Sequence, residues 1–330
     1  MQQNMTRHWV SVLNLIAGGL LWAIAAVVVY YVVIVNLAGD LNELRSALAN
    51  PSPGAWEWWI PLFKLLLGLQ AIAVLVLGII TSIRYLSLEL FESAKWTSYR
   101  FKAKAEEMIV RLSPVDVISH LILALGFGLA MFTGFIMYFA DNAYIYGYLY
   151  IVSRDTMANL HVIGGYLMAF AVVLYLTHYL AQFVLFLKDY GLRGALNKFL
   201  IIKTLPSLPV LLLDYYMWLF GLKKEHAKYH KYMPSQIVAY FGIGGLVLLI
   251  GITGISMVLW GMQSGNGFAW WVHVYAATAG VVIIAFHVFM IHLRPLIFPF
   301  DFAFFDGKVP RPLAEEEWPM WVEEIRGGGK

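Results

Sequence analysis

The sequence predicts an all-α integral membrane protein with six transmembrane helices, and three observations predict it. Of 330 residues, 61% are apolar and only 13% charged, and the mean hydropathy is +0.71. A soluble domain carries roughly 25% charge. Six runs are each long enough to cross a bilayer, which takes about 20 helical residues. Lysine and arginine are spread very unevenly among the segments between those runs. A soluble enzyme, a disordered scaffold and a nucleic-acid binder are all poor fits to this composition. The chain has no cysteine. Disulfides, thiolate zinc sites, Cys-ligated iron–sulfur clusters and covalently attached c-type haem are thereby excluded. Metal chemistry would rest on the nine histidines, the carboxylates or a methionine.

The predicted spans cover residues 9–38, 58–83, 117–140, 158–187, 236–260 and 268–293. The first follows Arg7 but lacks a tidy small-residue cleavage site, so it reads as a retained helix rather than a signal peptide. Twenty of the 23 lysines and arginines flank one set of span ends, among them Lys95, Arg100, Lys102 and Lys104 between spans two and three. Arg45 and Arg154 are on the other side, and Lys64 lies inside span two, close enough to its end to snorkel. By the positive-inside rule, both termini are expected in the cytoplasm, with Trp56, Trp58, Trp59, Trp270 and Trp271 as an aromatic belt on the opposite face. Between spans four and five, residues 188–234 form a long cytoplasmic insertion. Part of it, residues 205–222, is expected to lie along the membrane surface. The tail ends in Gly327, Gly328 and Gly329, which are expected to fray.

Histidine is the informative residue. Ionisable side chains within membrane helices are costly and mark function. His120, His161, His178, His273 and His287 lie inside spans, and those spans, as bounded above, contain no aspartate or glutamate to pair with them. His292 is at the end of span six and reads as a solvated end residue; His8, His226 and His230 lie in polar stretches. In span six, His273 and His287 are 14 residues apart. That interval is ~21 Å of rise and ~1400° of rotation, about 40° short of four turns. Both rings therefore share one side of the helix at two depths, with Gly280 midway in a run of small residues. From span direction, His120 is expected level with His287, and His161 level with His273. Gly134, 14 residues after His120, and Gly164 and Gly165, one turn after His161, leave room beside them. Two flat porphyrins, each held between imidazoles from two helices, fit this pattern. A zinc site would want four ligands together, and a proton relay would want carboxylates.

Four stretches then show a resemblance: Ile118-Ser119-His120 with Thr133-Gly134, Asn159 to Gly164 around His161, Thr253-Gly254, and Val272-His273 through Gly280 to His287. They resemble the di-haem cytochrome b (gamma) subunit of membrane-bound formate dehydrogenases, related to the cytochrome b subunits of nickel–iron hydrogenases and thiosulfate reductases. The segment from Glu317 to Ile325 is weakly similar to that family's C-terminal Trp/acidic stretch. The resemblance implies two b haems, one ligated by His161 and His273, the other by His120 and His287, with Gly134, Gly164 and Gly280 beside them. It implies a division into residues 1–110, with two additional helices, a four-helix di-haem domain at 111–293, and a cytoplasmic tail at 294–330. It also implies a periplasmic iron–sulfur partner and, through it, a catalytic subunit carrying molybdenum or tungsten. Electrons would cross a bacterial or archaeal inner membrane to a quinone, menaquinone or ubiquinone. Where the family can carry an asparagine near Met233, this chain offers Gln236; with Ser235, Tyr232 and His178 it is a quinone-site candidate.

Arg111, Arg154 and Arg294 are placed to meet haem propionates, since a guanidinium fork suits carboxylates, and equally to serve as membrane-edge charges. The main alternative function is a stand-alone transmembrane reductase of the cytochrome b561 kind. A histidine-gated transporter is the further alternative from a different class.

Overall fold

The computed structural model describes residues 2–49, 59–89, 107–142, 152–198, 205–225, 227–260, 267–293, 297 and 300–327. Trp56, Trp58, the basic run from Lys95 to Lys104, Lys203, His226, Arg294, Gly328 and Gly329 lie outside the described residues. The protein is an all-α membrane protein. Among the described residues, six helices are long and apolar enough to cross a bilayer. They divide between two compact units.

The first unit comprises residues 1–107, 209–301 and 310–330. It opens with α1 (Gln2–Val29), a π-helical turn (Tyr30–Ile34) and α2 (Val35–Ala49), which together form one continuous rod. The apolar pattern ends near Ala38, but the helix continues because the next stretch, Leu41 to Ala49, holds good helix formers and no breaker before Pro51. Helix α3 (Trp59–Glu89) returns beside it. Where these rods meet, glycine allows close approach. A Cβ on Gly78 would collide with the Trp22 ring, and one on Gly68 would stand 2.8 Å from Val33. The indole Nε1 of Trp22 donates to Ser82 Oγ at 3.1 Å.

Three more elements complete this unit. Helix α6 (Leu208–Leu219), whose first residue belongs to the second unit, is about 18 Å long and too short to cross a bilayer. It begins the part of the 188–234 insertion assigned to this unit. Its buried Tyr215 hydrogen-bonds Tyr85, and Arg84 Nε donates to the Leu219 carbonyl at 2.6 Å, so it docks on the end of α3. Helices α7 (Pro234–Trp260) and α8 (Phe268–Val288) follow, and α8 continues into a π-helical turn (Phe289–Leu293). Helix α8 packs on α7, α3 and α1, with Ala276, Thr278, Ala279 and Gly280 all buried. The small residues of span six therefore serve close helix contact on several sides.

The second unit, residues 108–208 and 302–309, is built on a helical hairpin. Helix α4 (Pro114–Asn142) runs against α5 (Arg154–Lys198), which is broken only at Gly191, where φ is +66°. The crossing is tight: a Cβ on Gly164 would lie 2.7 Å from Ala130 N and 2.8 Å from the Gly126 carbonyl. The room expected beside Gly164 for a cofactor is thus taken by the backbone of α4. A short helix, α9 (Ala303–Asp306), packs on α4, and the Gly307 carbonyl accepts from the amides of Arg111 and Leu112. Few residues of α5 are buried along its membrane-length stretch, whereas most of α8 is buried. In the first unit, α10 (Arg311–Glu317) and α11 (Pro319–Arg326) close the chain.

Candidate functional site

In the second unit, His161 stands on α5 facing α4. Its Nδ1 donates to the Ala130 carbonyl at 2.8 Å, and Thr133 Oγ1 lies 3.4 Å from the same nitrogen. Thr133 itself donates to the Leu129 carbonyl at 2.7 Å, the i−4 bond that a threonine makes inside a helix. The ring lies against Gly134, where a Cβ would stand 2.7 Å from Cε1. Gly134 is therefore a seat for the imidazole.

The first unit repeats this arrangement with different helices. His273 on α8 donates from Nδ1 to the Ile250 carbonyl of α7 at 3.0 Å, with Thr253 Oγ1 3.1 Å away. Thr253 donates to the Leu249 carbonyl at 2.7 Å. Gly254 is beneath the ring, 3.3 Å from Cε1 to a built Cβ. In both cases the carbonyl lies three residues before the threonine, and the glycine directly follows it. A neutral histidine that gives its Nδ1 proton to a carbonyl carries its lone pair on Nε2, the nitrogen that can ligate iron. The family resemblance was the sequence signal for Thr133-Gly134 and Thr253-Gly254; the accepting carbonyls of Ala130 and Ile250 had no signal of their own.

The other two expected ligands have less bracing. His120 on α4 is half-buried and meets Phe304 of α9 edge to face, with ring centres 4.7 Å apart. His287 on α8 is half-buried and stands 5.9 Å, ring centre to centre, from His292. The expectation that His292 is solvated is corrected: it is 5% exposed and stacks on Phe300 at 4.7 Å, 7° from parallel. The cause is the π-helical turn, which advances by about five residues and turns position 292 inward beneath 287.

The quinone-site candidates fall in both units. In the second, Gln182 Nε2 donates to His178 Nε2 at 2.8 Å, with Ser113 Oγ 3.4 Å from that nitrogen. In the first, Gln236 Oε1 accepts from the Met233 amide at 3.0 Å, so this side chain caps the start of α7. Tyr232 has Lys231 Nζ 5.5 Å from its ring centre, and Ser235 is half-buried. Of the arginines, Arg111 and Arg154 fall within the described residues at the starts of α4 and α5. Gly280 is buried in α8.

Two charged features differ from the sequence reading. Lys64 does not snorkel. It is 6% exposed, with Nζ 3.3 Å from Asp40 and 2.9 Å from Glu43, and it lies over the Trp271 ring at 4.1 Å. The Tyr275 hydroxyl also donates to Asp40. The span around His120 also begins earlier than expected, at Pro114, which brings the buried Asp116 into its first turn. Against known families and curated proteins, the chain matches no family model and no curated protein.

Proposed function

We propose that this chain is a membrane-embedded cytochrome b of the di-haem kind, an electron-transfer subunit linking an iron–sulfur partner outside the membrane to the quinone pool. The observation that carries the reading is the twice-built brace: His161 and His273 each give Nδ1–H to a helix carbonyl over a Thr-Gly step. Such a brace fixes ring orientation and leaves Nε2 as the donor, as metal-ligating histidines require. In this reading His161 and His273 hold one haem and His120 and His287 the other. Bound haem supplies one-electron chemistry at iron. The chain's contribution is to orient the imidazoles of His161 and His273, each through its Nδ1–H bond to a carbonyl of a neighbouring helix. His292, buried against His287 and Phe300, restricts the ring motion of His287.

The charge distribution supports cytoplasmic termini, and the family resemblance points to a bacterial or archaeal inner membrane. Electrons would then enter from the opposite, periplasmic side, where an iron–sulfur subunit and a molybdenum or tungsten catalytic subunit of the formate dehydrogenase type would dock. The test is a reduced-minus-oxidised spectrum of the purified full chain. Two b-type haems are expected, and His161→Ala and His273→Ala should each remove the same one. Loss of different haems would break the pairing. A wild-type chain without b-type bands, despite ample haem supply, would overturn the reading in favour of a transporter.

A further inference from the structure

We propose that Tyr175, Tyr179 and Asp116, within the α4–α5 hairpin, form the path by which protons reach the quinone; this rests on the electron-transfer reading above. The Tyr175 hydroxyl donates to the Tyr179 hydroxyl at 3.4 Å, and Tyr179 donates to Asp116 Oδ1 at 3.0 Å. The two phenol rings are 4.7 Å apart. Asp116 also closes a capping box: Oδ2 accepts from the Ser113 amide at 2.9 Å, and Ser113 Oγ accepts from the Asp116 amide at 3.2 Å.

A cap needs only one carboxylate oxygen. The other oxygen of this 7% exposed carboxylate is committed to a phenol, and that phenol to a second one a helical turn deeper. A carboxylate in a membrane helix is costly, and one joined to a line of exchangeable protons marks a proton route. The register of Tyr175 points the same way. It follows His161 by 14 residues, the interval that separates His273 from His287, which is ~21 Å along a helix and within about 40° of the same side. The stripe of α5 that begins with the braced histidine therefore ends in a phenol where that of α8 ends in an imidazole. His178, with Gln182 and Ser113, flanks the chain rather than joining it.

The chemistry balances. Reduction of one quinone forms two O–H bonds and turns two carbonyls into C–O single bonds. The two electrons would be supplied by bound haem, one from each of two reduced irons, and the two protons come from water at the Asp116 end. With Asp116 protonated from water and the hydroxyls turned so that Tyr179 donates to Tyr175, a proton leaving Tyr175 for the quinone is replaced from Tyr179, and that from Asp116, which leaves the observed donor direction, Tyr175 to Tyr179 to Asp116. The hydroxyls then rotate back for the next transfer.

The experiment pre-reduces the haems of the purified full chain with dithionite. Their re-oxidation is then followed after mixing with a short-chain benzoquinone or naphthoquinone, and separately with ferricyanide, which takes electrons without protons. Asp116→Asn, which keeps a capping oxygen, and Tyr179→Phe should each slow quinone-driven re-oxidation tenfold or more and enlarge its solvent deuterium isotope effect. Tyr175→Phe should slow it several-fold. Haem spectra and ferricyanide rates should match wild type. Wild-type quinone rates in both Asp116→Asn and Tyr179→Phe would overturn the proton path while leaving the electron-transfer reading intact. So would an equal slowing with ferricyanide. Absence of haem bands in the wild-type chain would remove both.

Discussion

Helices α5 and α8 carry the same histidine brace in opposite surroundings. Helix α8 is packed on α7, α3 and α1 and shows its neighbours alanine, threonine and glycine. Helix α5 packs chiefly on α4 and turns Ile163, Tyr166, Phe170, Val173, Leu180 and Val184 outward, as a lipid-facing helix does. Yet His161 and His273 make the same bond, to a carbonyl three residues before a threonine that a glycine follows. The brace therefore needs a single partner helix, and the rest of the environment is free to differ. What changes between the two is the side-chain size each helix shows its surroundings, because backbones can approach only where side chains are small.

The seat of the ring is where the two braces differ most, and where the largest effect is expected. An alanine Cβ at position 134 would fall 2.7 Å from His161 Cε1, closer than such atoms approach, whereas at 254 it would fall 3.3 Å from His273. Gly134→Ala is expected to push His161 off its carbonyl and, on the proposed di-haem reading, to eliminate one b-type haem. Gly254→Ala should keep both haems, with slightly weaker retention. Haem content per chain after purification checks this. Equal loss in both variants would mean that the seats are equivalent and that the difference in clearance is without consequence.

Charge separates the two surroundings next. The face of α8 away from His273 meets the buried Lys64 through Trp271, and Asp40 through Tyr275. Removing one member of a buried ion pair leaves an uncompensated charge and costs about 3–5 kcal/mol. Lys64→Met should therefore lower thermal stability sharply, with Asp40 left without its cation. The double variant Lys64→Met, Asp40→Asn should recover much of the loss. Lys188→Met on the exposed part of α5 is the control and should change little. A melting profile of detergent-solubilised protein followed by tryptophan fluorescence checks all three. If the double variant melts below the single one, Lys64 and Asp40 do not act as a pair.

How much of this was legible in the sequence depends on range. The six spans follow from local hydropathy, and their centres agree with the helices; the ends ran longer wherever good helix formers followed the apolar run, as at Leu41–Ala49. Thr133-Gly134 and Thr253-Gly254 stood out in the sequence only through the family resemblance; that they form one device used twice emerges once each is seen against its histidine. Lys64 was misread because its partners lie 21 and 24 residues away on another helix, and a lysine near a helix end looks alike whether it snorkels or pairs. Tyr179 and Asp116 are 63 residues apart, so no local pattern joins them. His292 turned inward through a π-helical turn, which leaves no mark on composition. Gly134 and Gly164 looked equivalent in sequence, yet one seats a ring and the other admits a backbone.

The smallest expected effect tests packing alone. Ala276 on α8 is 0% exposed, so Ala276→Leu adds three carbons where no space exists; overpacking of this kind costs about 1–3 kcal/mol. Gly165 on α5 has nothing within 4 Å of a built Cβ, so Gly165→Leu meets open space. It also replaces the poorest helix former other than proline with a good one, a gain of up to about 1 kcal/mol. The two leucines should therefore shift the melting temperature in opposite directions. A destabilised Gly165→Leu would show that α5 is covered there by something other than lipid. The open face of α5 would then be the first place to look for a partner helix.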